Sequence, residues 1–287
     1  MKRTAFLNLL KHDLINGILF QWKKFVPLFV IVVIICLNFH QDYLFYLSKD
    51  NQIVLSFSDY WFNLMKGMSI FNPENSIEQL NFLWISLHLY LAFIISVYPT
   101  KDLSGYGQNI LLRSQSKKSW WLSKCLWAIS VTVFFYLILM LSIVFVCLFI
   151  GNLSLVVHLQ VQSEINHFSI QDISHFNLVF QAMIVPMIVS IFLSSIEMLL
   201  ILLFGNIIGL ISTIGALLLP IFYDGSYIFT GYLMLMRNGK LVNSFEANEF
   251  TAFHLYVILI FVILSIIISV VYFNRKDLLM KKDQGGI

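Results

Sequence analysis

Charge is scarce in this sequence. Only 11% of its 287 residues are Asp, Glu, Lys or Arg, against about 25% in an ordinary soluble domain. With 59% hydrophobic residues, no soluble fold of this size can hide so much apolar surface. The expected class is an all-α polytopic membrane protein. Cysteine is nearly absent. Cys36, Cys125 and Cys147 all lie in or beside apolar runs, which excludes a disulfide framework and a zinc spacing and leaves them as small packing residues. No Gly-x-x-x-x-Gly-Lys-Ser/Thr phosphate loop occurs, so the chain binds no ATP by that route. The net charge is only +3, so no nucleic-acid partner is expected. No paired carboxylates share a membrane face and no Ser-His-Asp order can be defended, so hydrolytic catalysis has no visible basis. His158, His167 and His175 share one loop, but their spacing suggests no metal site.

What is present is a series of long apolar runs. Residues 1–24 are no secretory signal, because Lys11, His12 and Asp13 break the apolar pattern. As a helix, this segment gathers Phe6, Leu7, Leu10, Leu14 and Ile18 within an arc of about 120°, with Asn8, His12 and Asn16 opposite. It reads as an amphipathic helix lying in the membrane surface or packed on the bundle. Six spans follow, at about 22–43, 80–98, 121–150, 177–199, 204–222 and 251–273. Pro99 is expected to end the second and Pro186 to kink the fourth. The fourth and fifth form a tight hairpin whose turn-like residues are Gly205 and Asn206. Residues 274–287 form a polar, basic tail.

Two loop segments carry further pattern. In 41–79, Ser58 or Asp59 can cap a short helix whose Trp61, Leu64, Met65 and Met68 share a face. It is either an interfacial helix or a lid on the bundle. The apolar stretch Tyr227–Met236 is too short to span and is expected to dip into the outer leaflet. Orientation follows from charge. Fourteen of the 18 Lys and Arg residues lie in the N-terminal segment, the 99–124 region and the tail. Both termini and that loop are therefore expected in the cytoplasm, with the chain in the cell membrane.

The loop at 99–120 is the most basic interior segment. It holds Lys101, Arg113, Lys117 and Lys118 against one acid, Asp102, and Lys124 follows it. Trp120, Trp121 and Trp127 read, with Lys124, as interfacial anchors for the next span. Positive-inside orientation alone would account for the basic residues.

The loop also resembles the coupling loop in membrane subunits of ABC-2 type ABC transporters. In that family an acid and a glycine precede a Leu-rich stretch, then Ser–Arg, a second glycine and a closing lysine. Here Gly105, Leu111, Ser116–Lys117 and Lys124 hold the matching positions, with Asp102 as the nearest acid. The family's Thr–Pro is replaced by Arg113–Ser114 and its second glycine by Ser123. The segment Gly231–Arg237 is similar to the family's partly inserted segment before the last span. The resemblance implies a short helix around Gly107–Arg113 seated on a separate ATPase subunit, which would bind ATP and Mg, and a second permease subunit as partner. This chain would bind no cofactor and would not itself be the enzyme. The cargo would be an amphipathic or hydrophobic substrate such as a peptide, bacteriocin or drug. The coupling residues would be Asp102, Gly105, Gly107, Leu111, Arg113, Ser116, Lys117 and Lys118.

Glu197 is the one acid well inside a span and is a functional candidate by default. It can pair with a basic residue at the rim, or hydrogen-bond across helices as structural glue. His88 lies in the second span. Two other classes of function stay open. An integral-membrane enzyme acting on lipid or peptide would need polar residues converging at one depth, for which Glu197 and His88 are available. A sensor or structural subunit would share the loop but carry no cargo.

Overall fold

Backbone polar groups in lipid can be satisfied only within helices or closed barrels. In the computed structural model of the chain, the apolar runs are helices, and no strand occurs among the described residues. Those are 3–46, 53–68, 81–103, 105, 107–109, 111, 116–166, 170–171, 174–223, 225–242 and 248–275. The tail beyond Arg275 and Arg113 in the loop lie outside them.

The elements run α1 (Arg3–Leu14), α2 (Phe25–Tyr46), α3 (Phe57–Met65), α4 (Phe82–Leu103), α5 (Lys117–Ile150), α6 (Leu159–Glu164), α7 (His175–Val179), α8 (Val185–Phe204), α9 (Asn206–Phe222) and α10 (Ala252–Arg275). Among the described residues, five helical stretches are long and apolar enough to cross a membrane: Trp22–Phe45, Phe82–Leu103, Lys117–Ile150, Phe176–Phe204 and Ala252–Arg275. The chain is thus a polytopic helical membrane protein. The apolar helix α9 is shorter, with 17 residues, or about 25 Å at 1.5 Å per residue.

α5 is the spine. Its 34 residues extend about 50 Å, and it packs against α1, α2, α3, α4, α8 and α10. Hydroxyl pairs fasten it laterally. Thr132 meets Ser194 at 2.9 Å and Tyr136 meets Ser190 at 2.8 Å, both on α8, while Cys125 lies 3.7 Å from Ser269 on α10. Such interhelical hydrogen bonds help hold helices whose apolar surfaces gain little by association in lipid.

Pro99 does not end its helix. α4 passes through Pro99 and ends at Leu103. Its last turn is held from outside, because Asn206 Nδ2 donates to Thr100 Oγ1 at 2.6 Å and Asp102 is tied to α5. Ahead of Pro186 the chain widens into a π-helical turn, Phe180–Ile184. Pro186 has no N–H to give the carbonyl of Ala182, four residues earlier. Trp61 Nε1 donates to that carbonyl instead, at 2.8 Å. The α8–α9 hairpin turns on Gly205 alone, at φ +93°, a conformation that favours glycine.

The end of the bundle remote from α1 is closed by a packed cap. Its short helix α3 is capped by Ser56, not by Ser58 or Asp59. Ser56 accepts from the Asp59 N–H at 3.1 Å, and the Asp59 carboxylate accepts in return from the Ser56 N–H and hydroxyl, each at 2.9 Å. α3 is buried almost throughout, so it is the lid of the two alternatives. Asp59 also accepts from the His158 N–H at 3.0 Å, from His158 Nδ1 at 2.6 Å and from Gln162 Nε2 at 3.0 Å. Five donors thus surround one buried carboxylate, which is how a buried charge is tolerated. The apolar stretch near 227–236 is also drawn into the protein. Two 3₁₀ turns, Phe229–Leu233 and Leu235–Arg237, bury Tyr232, Leu233 and Leu235. Asn238 donates to Gln181 at 2.9 Å in the π-helical turn.

The bond to Asp59 holds His158 above the ordinary imidazole range. A group whose folded-state pKa is raised contributes stability that is complete below its unfolded pKa and is lost as pH rises through the folded value. Thermal unfolding of the detergent-solubilised chain is therefore expected to move to lower temperature as pH rises above about 6.5. The His158→Gln variant is expected to lose that slope. An unchanged slope in the variant would show that another group carries it.

Candidate functional site

At the opposite end, three elements meet on Lys124. The side chain lies one turn beyond the Trp120–Trp121 pair on α5 and is fully buried. Its Nζ donates to Asp102 Oδ2 at 2.5 Å, from the last turn of α4, and to Asp13 Oδ1, near the end of α1. Asp13 accepts further from the Ser123 hydroxyl and, at 3.1 Å, from the Tyr98 hydroxyl. The ammonium stands 4.7 Å from the Tyr98 ring centroid and 4.8 Å from that of Trp120. A buried ammonium is tolerable only with this degree of compensation: two carboxylates and two aromatic faces.

The residues expected from sequence distribute around this cluster. Asp102 is part of it. Gly105 is an exposed turn residue whose N–H donates to Asp102 O at 3.1 Å. Gly107 is buried, and a Cβ there would run into the Asp102 carboxylate. Glycine at 107 is therefore required by the ion pair. Residues 107–109 and 111 are helical, and Leu111 is buried in the core. Ser116 caps α5, accepting from the Ser119 N–H at 3.4 Å. Lys117 is half-buried and Lys118 is exposed. Arg113 lies outside the described residues.

Four residues expected as interfacial anchors have a different setting. Trp120, Trp121 and Trp127 are 1%, 3% and 0% exposed, and Lys124 is 0%. Trp120 and Trp121 both stack on Phe273 of α10, with ring centroids 5.4 and 5.0 Å apart. Trp127 stacks on Tyr98 of α4 at 4.2 Å. They are thus bundle-packing residues, not side chains lying among headgroups. The tryptophans fasten α5 to its neighbours because the helix is surrounded at this level by α1, α4 and α10. Beside them a cavity of about 250 Å³ opens between Pro99, Thr100 and Leu103 of α4, Trp121, the α8 terminus at Ile201–Phe204 and Phe273.

Asp13 is the member of the cluster that sequence reasoning missed. In the sequence it is a break in an amphipathic pattern, and nothing local marks it as a partner of residues 85 and 111 positions away. The one available signal was its placement: an acid in a basic segment that packs on an apolar bundle.

Comparison with known families bears on the whole of this arrangement. Residues 28–279 match the family described as Protein of unknown function (DUF2705). The chain belongs to the DUF2705 family. No curated protein and no solved structure matches it. The DUF2705 match takes in Asp102 and Lys124 and leaves Asp13 outside its first residue.

Glu197 sits elsewhere, between α4, α8 and α9, about midway along α8 toward its end. It does not touch the ion cluster.

Removing one partner of a buried ion pair leaves an uncompensated charge, at about 3–5 kcal/mol. Lys124→Met is expected to destabilise the chain by that order in denaturant unfolding from mixed micelles. The triple variant Lys124→Met, Asp13→Asn, Asp102→Asn is expected to recover most of the loss. A single variant as stable as the parent would show that the cluster is not a structural clamp.

Proposed function

We propose that the chain is the permease subunit of an ATP-driven exporter of the ABC-2 type. A separate ATPase would seat on the segment from Gly105 to Lys118, and a second permease subunit would complete the translocation path. The cargo would be an amphipathic or hydrophobic molecule such as a peptide or drug, moved out across the cytoplasmic membrane. On this reading α9 is a sixth span, and both termini and the loop after α4 face the cytoplasm, as the concentration of Lys and Arg at these segments favours.

The observation that carries the reading is the tie between Asp102 and Lys124. The loop begins where α4 ends, and its first acid is bonded to the start of a helix about 50 Å long. A displacement of that loop by a partner would pass to a rigid element that contacts most of the bundle. Exposed Gly105 and Lys118 offer a partner a surface beside the tie. The reading as an integral-membrane enzyme has less support. His88 and Glu197 do line one cavity, but it holds only about 10 Å³, room for about one water and not for a lipid or peptide bond.

The test is affinity purification of the tagged full chain from its native membranes. An ATPase subunit is expected to co-purify. Gly105→Glu and Lys118→Glu each alter an exposed position, so stability should stay within about 0.5 kcal/mol while the ATPase is lost. Recovery of the chain with no ATPase, or with undiminished ATPase in both variants, would overturn the reading.

A further inference from the structure

Two buried polar atoms in the middle of the bundle have no hydrogen-bond partner among the described residues: Glu197 Oε1 and His88 Nε2. They belong to residues only 1% and 3% exposed. Both residues line the same small cavity, together with Ser190, Ser194 and Thr213. Orphaned polar atoms in such a place call for a ligand or a functional reason.

The wall of this cavity offers lone pairs rather than protons. His88 Nδ1 stands 3.0 Å from the Trp84 carbonyl, which can only accept. Nδ1 therefore carries the ring hydrogen, and Nε2 of the neutral ring is an acceptor. The Thr213 hydroxyl donates to Gly209 O at 3.0 Å. The Ser194 hydroxyl lies 2.7 Å from Ser190 O and 2.9 Å from Thr132 Oγ1, so its hydrogen is engaged away from the cavity. Ser190 is paired with Tyr136 at 2.8 Å. Apart from Ser190, whose hydroxyl can either donate to Tyr136 or accept from it, these groups suit an occupant that brings hydrogens. No Lys or Arg is among the lining residues. The space, about 10 Å³, suits one water.

We propose that Glu197 and His88 hold one proton and one bridging water between them, forming a proton-binding site inside the membrane between α4, α8 and α9. The carboxyl O–H donates to the water, and the water donates to Nε2. Transfer along this chain breaks the carboxyl O–H bond, forms an N–H bond at Nε2 and leaves a carboxylate. The site keeps zero net charge in both forms. The titratable groups around it are few. His88 faces it from α4 and Glu197 from α8. The lining residue from α9 is Thr213, and Tyr136 of α5 is reached through Ser190. This site stands independently of any ATPase.

The test is infrared difference spectroscopy on the full chain in lipid nanodiscs at neutral pH. The wild type minus Glu197→Gln difference is expected to show one deuterium-sensitive C=O band of a protonated carboxylic acid. Glu197→Asp should retain the band at a shifted position, and His88→Phe should shift it by removing the acceptor. If a variant fails to fold, isotope-labelled glutamate in the unsubstituted chain assigns the band to a glutamate as against an aspartate. A difference showing only carboxylate bands, with no imidazolium signature from His88, would overturn the proposal. So would a wild-type band that disappears on addition of sodium or potassium, which would mark a cation site instead.

Discussion

Lys124 carries a positive charge into the protein interior, where the hydration it would have in water is gone. Desolvation of an ion costs several kcal/mol, and attraction to a counter-charge offsets it only when the geometry is good and the remaining donors are satisfied. Both conditions are met here by residues from three separate elements: Asp13 of α1, Asp102 of α4, and the rings of Tyr98 and Trp120. The positions of α1, the end of α4 and the start of α5 are therefore not independent. Moving any one of them leaves a buried charge without its partner. This is why α1 packs along α5 instead of lying apart as an amphipathic surface helix, and why α4 continues past Pro99 for another turn.

The opposite end obeys the same rule with the signs exchanged. Asp59 is a buried anion, and its five donors come from the α3 start and from the 158–162 segment. The network continues through Asn166, which donates to Gln162 at 2.6 Å and accepts from Lys66 Nζ at 3.2 Å. Each end of the bundle is thus closed by a buried charged network that gathers segments distant in sequence. Between them the helices are joined by packing and a few hydroxyl pairs, as expected where lipid gives helix association little hydrophobic drive.

Hydropathy alone made the transmembrane character legible, because runs of 20 apolar residues have few alternatives. The hairpin at Gly205 was legible too, because a positive φ there favours a residue without Cβ. What was not legible was the pairing of polar residues across long separations. Asp13 and Lys124 are 111 positions apart, and neither stands in a local pattern that names the other. The tryptophans misled for a related reason. Trp near the start of a span is usually read as an interfacial anchor, but Trp120, Trp121 and Trp127 have α1, α4 and α10 around them. Composition shows how much apolar surface a helix has; it does not show which neighbour covers it. The sequence alone points to Ser58 or Asp59 as the cap of α3, and Ser56 takes that place because Asp59 is turned toward it and His158 by tertiary contacts.

The distribution of these constraints bears on where the bundle can change. α1, α4 and α5 are tied by Lys124, and α3, α6 and the 229–237 turns by the cap network. The α8–α9 hairpin belongs to neither charged network and is joined to its neighbours by the Thr132–Ser194 and Tyr136–Ser190 pairs and by Asn206 on Thr100. α9 packs against α8, α4 and the 3₁₀ segment, turns on one glycine, and exposes Ile207, Ile208, Ile211 and Phe222. The small cavity of His88 and Glu197 lies at the seam where α9 and α8 meet α4. In a proton site at that seam, closure would keep the carboxyl away from water and opening would hydrate it. The separation of α4 from the hairpin and the charge state of Glu197 would then be one linked equilibrium.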